Sequence, residues 1–258
     1  MNIFKFRTTV LLFTLIVFAL SVSVCREVRA QDQAMDPAAT DILKRMTDYL
    51  GSLKKFSVHT QNTLEELLDS GHRVDFEVGA NVIISRPNKL RAERRGEMVD
   101  QVFYYDGKTL TLYNPVDKVY AMEAVPNTLE GMFEFMYWSL GFNIPISDLL
   151  YADAFRLLMQ DVTLAEVIGQ TFIDGVKCDH LLFSRPGVDF QVWVAQGSRP
   201  LPHKYVVTDT TSPALLSIIM RMSDWNMEPV VADAQFAFVP PKGTQKIDFM
   251  PFTTGENK

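Results

Sequence analysis

Apolar residues fall at different spacings along this chain, and each spacing predicts a different kind of element. In MDPAATDILKRMTDYLGSLKKF, Ile42, Leu43, Met46, Tyr49, Leu50 and Leu53 recur at helical intervals, so a helix there has one face to bury. Asp36 stands where an N-cap belongs and Pro37 at the first helical position. From Phe56 the period shortens. In RVDFEVGANVII, Val74, Phe76, Val78, Ala80, Val82 and Ile84 alternate with Asp75, Glu77, Gly79 and Asn81, which predicts a long strand with one apolar face. DSGHR, the Asp-Gly pair of YYDGKTL, and YNPVDK read as turns, so an antiparallel meander follows.

Between Pro126 and Gly169 that alternation lapses. PNTLEGMFEFMYWSLGFNIPISDLLYADAFRLLMQ is dense in Met, Phe, Tyr, Trp and Leu, and its lengths predict two or three short helices parted by GFNIP and YAD. Strands resume in TLAEVIGQTFI, VKCDHLLFSR, VDFQVWVAQ, LPHKYVVTDT and LLSIIMRMSDWN. No repeat, low-complexity tract or linker divides them. The expectation is one mainly β domain over residues 31–258, an antiparallel sheet with helices packed on it and a helical insertion near 126–169.

The first thirty residues concern address. Lys5 and Arg7 precede the apolar run TTVLLFTLIVFALSVSV, and a short polar stretch ends in VRA before QDQ, the three-part form of a cleaved secretory signal with the cut after Ala30. A retained membrane anchor is the competing reading, since the run approaches bilayer-spanning length. Lipoprotein attachment at Cys25 is disfavoured by the valine before it. Cleavage removes four of 25 basic and one of 31 acidic side chains, leaving 21 and 30 and a net charge near −9. Such a surface repels nucleic acid, so no nucleic-acid partner is expected. Cys178 alone remains, which excludes an intrachain disulfide in the mature chain.

Candidate chemistry is sparse. Cys178 and His180 lie two apart on a predicted strand and share a face, with Asp179 opposite. A thiol beside an imidazole can form a nucleophile or half a metal site. Neither is completed, because His59, His72 and His203 show no ligand spacing, and no GxSxG, HExxH or phosphate-binding glycine loop occurs. A buried structural cysteine with a hydrogen-bonded histidine is the default. No catalytic residue, metal or cofactor is assigned. Arg91, Arg94 and Arg95 read as a solvated strand edge that discourages unwanted pairing. Met132, Phe133, Phe135, Met136, Tyr137 and Trp138 cover more than one helical face, which reads either as contact with both the sheet and a ligand or partner or as ordinary core.

SRPNKLR, YYDGKTLTLYNP and FAFVPPKG carry, in order, Arg-Pro, Asp-Gly-Lys-Thr-Leu and Phe-x-Phe-x-Pro-Pro-x-Gly signatures. In these the chain resembles the periplasmic lipoprotein-carrier superfamily of LolA and LolB, from about Ile83 to Tyr120 and again from Phe236 to Gly243. YYDGKTLTLY, CDHLLF and PLPHK resemble a branch of predicted periplasmic proteins across the mature chain. The resemblance implies a strongly curved, incomplete antiparallel β-barrel closed by helices over an apolar cavity for acyl chains. It implies that Arg86 hydrogen-bonds lid carbonyls and keeps the empty cavity shut, work suited to a guanidinium with several fixed donors. Leu90 then lies near the cavity mouth. Phe76, Val78, Phe103, Tyr105 and Leu112 become wall, and Met132, Phe133, Met136 and Trp138 belong to the lid.

The function so implied is a non-catalytic periplasmic carrier, a monomer binding lipid or lipoprotein acyl chains or another elongated apolar ligand. Alternatives are a periplasmic sensor acting on a membrane-protein partner, or a Cys/His enzyme or metal protein.

Overall fold

The computed structural model describes residues 35–249 apart from Met98, Asn143 and Pro145; the expected signal segment, residues 1–30, and its cut lie outside the described residues. Helix α1 runs Pro37–Ser52, with the Asp36 carboxylate accepting from the Ala38 N–H at 2.8 Å. That bond satisfies one of the donors a helix start leaves open. Ala39, Leu43, Met46, Thr47 and Leu50 form its buried stripe. Thr47 is tolerated there because its hydroxyl returns a bond to the Leu43 carbonyl at 3.1 Å.

Six strands then zigzag: β1 Lys55–Leu67, β2 Arg73–Ser85, β3 Lys89–Gly96, β4 Asp100–Tyr105, β5 Thr109–Asn114 and β6 Val119–Ala124. Three helices follow, α2 Leu129–Leu140, α3 Ser147–Leu150 and α4 Ala154–Met159. A second meander comprises β7 Leu164–Ile173, β8 Val176–Arg185, β9 Val188–Ala195, β10 Pro202–Asp209 and β11 Ser217–Asn226. The short β12, Gln245–Lys246, closes the described chain. Alternation, turn chemistry and the lapse after Pro126 therefore predict these elements well, except that strand resumes at Leu164, inside the expected insertion.

All twelve strands join one curved open sheet in the order β12-β6-β5-β4-β3-β2-β1-β11-β10-β9-β8-β7. The two meanders meet where β1 pairs antiparallel with β11, with Asn62 opposite Met220. Among the described residues every pairing is antiparallel but one: β12 runs parallel to β6, which departs from the all-antiparallel expectation. The order has a topological consequence. β6 lies beside one edge and β7 forms the other, so the chain between them must cross a face of the sheet, and α2 to α4 are that crossing.

Pairing register sorts side chains by face, since residues two apart project the same way. Phe56, Val58, Val82, Ile84, Leu90, Phe103, Tyr105 and Leu110 join Leu43, Met46 and Leu50 of α1 and Leu129, Met132 and Met136 of α2 in a single core. Each such large side chain contributes on the order of 1.5–3 kcal/mol by leaving water. The opposite face carries a second layer. Phe238, from the segment after β11, sits against Tyr104, Tyr113 and Tyr120 with ring centroids 5.4, 5.2 and 5.0 Å away. No helix among the described residues is long and apolar enough to cross a membrane.

Candidate functional site

The inner face is not uniformly apolar. Along β1 the positions alternating with Phe56 and Val58 are Thr60 and Asn62, and along β3 those alternating with Leu90 are Ala92 and Arg94. Register aligns Thr60 with Ala80 and Ala80 with Arg94, so these polar groups lie on one side of the sheet. There a cavity of about 130 Å³ opens between the strands and the α2–α3 loop. Leu64, Val78, Val82, Phe103, Ile218 and Met220 wall it, Ile144 and Ile146 cover it, and Thr60, Asn62 and Arg94 give it polar atoms. A dry cavity of roughly this size admits a benzene ring, whereas ligand pockets run to about 300–1,000 Å³. A whole acyl chain therefore enters only if the cover moves.

What fastens that cover is arginine and backbone. Arg86, in the β2–β3 turn, donates from Nη1 to the Leu150 carbonyl at 2.9 Å. Its Nε and Nη2 are buried without a hydrogen-bond partner among the described residues. Burial lowers its pKa from the usual arginine value, and the nearby Glu130 charge opposes that. Glu130 itself accepts from the Ala152 N–H at 2.8 Å, tying α2 to the α3–α4 turn. The Leu129 N–H reaches the Pro87 carbonyl at 3.2 Å. The Tyr105 hydroxyl lies 2.6 Å from the Pro126 carbonyl and 3.1 Å from that of Thr128. Gly131 is required in the first turn of α2, because a Cβ there would stand 2.7 Å from Pro126 Cβ.

A second arginine does similar work. Arg185 donates to the Leu157 carbonyl of α4 at 3.4 Å. Arg86 follows Ser85, the partner of Lys55 where β1 begins; Arg185 ends β8 at the rim where β10 turns into β11, near Leu64. The two thus hold carbonyls at the end of α3 and within α4. Asp148 of α3, half-buried, has its pKa raised by desolvation and partly lowered by Arg185. The sequence held a signal for this pair, since Ser85-Arg86-Pro87 recurs as Ser184-Arg185-Pro186 in the second meander.

Of the residues expected to form wall and lid, Val78 and Phe103 line the cavity. Leu90 and Tyr105 of the sheet and Met132, Phe133 and Met136 of the crossing itself are buried in the core between the two. Leu112 is half-buried against that core, and Phe76 is half-buried towards the outer end of β2. Trp138 is 74 % exposed and stacks edge-on with Tyr137, away from the cavity. The aromatic hairpin is not all wall: the pleat sends Phe103 and Tyr105 inward, while Tyr104 and Tyr113 meet Phe238 outside. Arg94 corrects the reading of a solvated arginine edge. Arg91 and Arg95 do face outward, the first over the Tyr104 ring and paired with Glu93, the second beside Asp100. Arg94 has the parity of Leu90, lines the cavity and lies over Phe103 at 5.8 Å. Sequence reasoning also missed Thr60 and Asn62, which the alternation begun by Phe56 and Val58 would have found.

Cys178 and His180 share a face, as expected. Cys178 is fully buried with Trp193 and Val206, and burial pushes its thiol up to about 11. His180 stacks on Trp193 at 4.0 Å with Nε2 2.9 Å from Gln191 Oε1. A thiol so poorly ionised is a weak nucleophile. No group of three potential metal ligands occurs among the described residues.

Residues 39–250 match a family model described as a predicted periplasmic protein, DUF2092. No curated protein matches the chain in sequence. Among solved structures, an uncharacterized conserved protein from Thermus thermophilus is similar at 12 % identity and TM-score 0.49, over 82 % of this chain and 99 % of that one. The lipoprotein LppX of Mycobacterium tuberculosis is similar at 18 % identity and TM-score 0.44, over 76 % and 98 %. A LolA superfamily protein from Nitrosomonas europaea is similar at 13 % identity and TM-score 0.37, over 78 % and 97 %. At such identities and scores, none transfers a ligand or partner to this chain.

Proposed function

We propose that this chain, which belongs to the DUF2092 family of predicted periplasmic proteins, is a periplasmic binding protein that carries an elongated apolar ligand such as a lipid acyl chain, without covalent chemistry. One observation carries the reading: an apolar cavity lies beneath a helical crossing that is fastened to the sheet by a few hydrogen bonds and no ladder. Such a cover can open while the sheet persists. The chain is exported by a cleaved signal and begins at Gln31, so intact protein from the periplasmic fraction should have the mass of residues 31–258. Retention of residues 1–30 in the membrane would replace the soluble carrier with an anchored one.

Mass spectrometry of the mature protein purified under native conditions tests the reading directly, together with titration by the neutral fluorescent probe N-phenyl-1-naphthylamine. Co-purified lipid, or saturable probe binding that long-chain compounds displace, supports a carrier. A bare protein that neither binds the probe nor lets lipid compete would sink it.

A further inference from the structure

The cavity carries polar groups that its walls leave unanswered. Asn62 donates from Nδ2 to Thr60 Oγ1 at 3.1 Å and to the Val78 carbonyl at 2.9 Å. A carbonyl can only accept, so the amide orientation is fixed and Oδ1 is the atom turned the other way. That Oδ1 is buried with no hydrogen-bond partner among the described residues. Across β2 stands Arg94. Its ladder neighbours on the inner face are Ala80 and Gln101, and of the acidic residues nearby in sequence Glu93 and Asp100 are engaged by Arg91 and Arg95 while Glu97 accepts from the Glu77 N–H. Among the described residues Arg94 forms neither an ion pair nor a hydrogen bond; its one recorded partner is the face of Phe103. Burial is the sole cause lowering its pKa, consistent with no carboxylate close enough to offset it. Arg94 is half-buried, and a partly desolvated guanidinium with no counter-ion leaves its donors free for an anion.

We propose that Arg94 and Asn62 form the head-group end of the cavity, and that the ligand is an anionic amphiphile. Its carboxylate or phosphate is held by Arg94, a hydroxyl or N–H of the same head answers Asn62 Oδ1, and its alkyl chain runs along Val78, Val82 and Phe103. The inference rests on the carrier reading and sharpens it. Arg94 supplies the anion contact because its planar fork presents five donors and no acceptor, the complement of an oxyacid. Asn62 selects among anions, because a bare carboxylate leaves its oxygen unsatisfied. The residues sit two strand spacings and two residues apart, roughly 12 Å between backbones, a gap that the arginine side chain and a small head together fill. With the cover shut, a cavity of about 130 Å³ holds on the order of four or five water-sized groups, enough for a head and its first carbons.

The test is competition for N-phenyl-1-naphthylamine by four compounds: dodecanoate, dodecyl phosphate, dodecanol and inorganic phosphate. Wild-type protein should bind the better of the two anionic chains about ten- to a hundred-fold more tightly than dodecanol. Arg94→Met should bring the two to near equality by weakening the anionic chains far more than dodecanol, and Arg94→Lys should keep part of the preference. Asn62→Asp, a second variant whose own charge occupies Arg94, should also abolish it. Thermal melts of each variant confirm that it is folded. Dodecanol bound as tightly as the anions by wild type, or a preference that survives Arg94→Met, overturns the inference and leaves the carrier reading standing. Inorganic phosphate competing as well as dodecyl phosphate overturns it in favour of a plain ion site. Failure of every chain compound and of the probe takes the carrier reading down as well. Preference for dodecyl phosphate, whose monoanion keeps one P–OH to donate to Asn62 Oδ1, supports the inference once it is lost with Arg94; preference for dodecanoate, which has no donor, overturns the selection by Asn62.

Discussion

Replacing Arg86 by leucine perturbs one fastening and leaves the sheet alone. The substitution removes the 2.9 Å bond from Nη1 to the Leu150 carbonyl, a charge-assisted bond worth about 1.5–3 kcal/mol. It also removes two buried nitrogens without partners, whose desolvation already counts against the closed form. Part of the loss is therefore returned, and the closed state weakens by about 1–2 kcal/mol, a factor of roughly 5–30 in its ratio to open forms. Amide hydrogen exchange reads this locally. Protection of α3 and α4 should fall by that factor, while amides of β1 and β2 keep theirs, because opening of the crossing is sub-global. Release of N-phenyl-1-naphthylamine should change in parallel. Arg95→Leu is the control: its side chain is 78 % exposed and its contact with Asp100 is 3.6 Å, a pair worth at most about 1 kcal/mol. Arg94 cannot serve, since it lines the cavity. Equal protection of α3 and α4 in wild type, Arg86→Leu and Arg95→Leu would show that Arg86 fastens nothing.

Three further outcomes are expected. Cys178→Ala should cost about 1–2 kcal/mol in urea unfolding through lost packing and leave probe binding intact; with its thiol pushed to about 11, the native cysteine should resist Ellman's reagent until the protein unfolds. Loss of binding, or prompt labelling of folded protein, would contradict this. Asp148→Asn should stabilise the protein at neutral pH. Burial raises the folded pKa of Asp148 above its unfolded value of about 3.9, so the wild type binds more protons folded than unfolded and loses stability as pH climbs through that interval. His180 and His203, lowered by burial, give the opposite slope as pH falls below about 6.5, so the readout is the variant minus wild type from about pH 4 to pH 8. A difference that does not grow towards neutral pH refutes the assignment. Phe238→Ala should destabilise by about 2 kcal/mol, because it empties a nest of three tyrosines from one side; an unchanged melting temperature would mean that the segment after β11 is merely draped there.

Elements with one buried face were easiest to read. The stripe Leu43, Met46, Leu50 and the alternation Val78, Ala80, Val82, Ile84 each commit a segment to one side of one core, and both appear as written. Pairing between distant strands was not readable, because the β1–β11 contact that joins the meanders is specified by shape and burial of both partners rather than by a local motif. The cavity was half readable. By composition KLRAERRG reads as a charged edge, but its parity puts Leu90, Ala92 and Arg94 on one face and Arg91, Glu93 and Arg95 on the other. Since a side-chain period of two is fixed by the backbone, one buried residue on a strand assigns all its neighbours.

The mode of closure also bears on how ligand is exchanged. Were the crossing zipped to the sheet as another strand, opening would break a ladder of hydrogen bonds at once. Instead its polar contacts are single bonds involving Arg86, Arg185, Tyr105 and the Leu129 N–H, beside the buried apolar side chains of α2 to α4 and of the α2–α3 loop, where Phe142 meets Phe103 edge-on at 6.0 Å. Lifting the roof residues Ile144 and Ile146 off the wall exposes apolar surface that an incoming chain covers again, at about 0.8 kcal/mol per methylene buried. Opening with ligand at hand thus approaches an exchange of one apolar partner for another, while opening without it carries the full cost. A cover built this way stays shut when empty and yields when a chain is offered, and the strength of its few polar fastenings sets how long the chain remains.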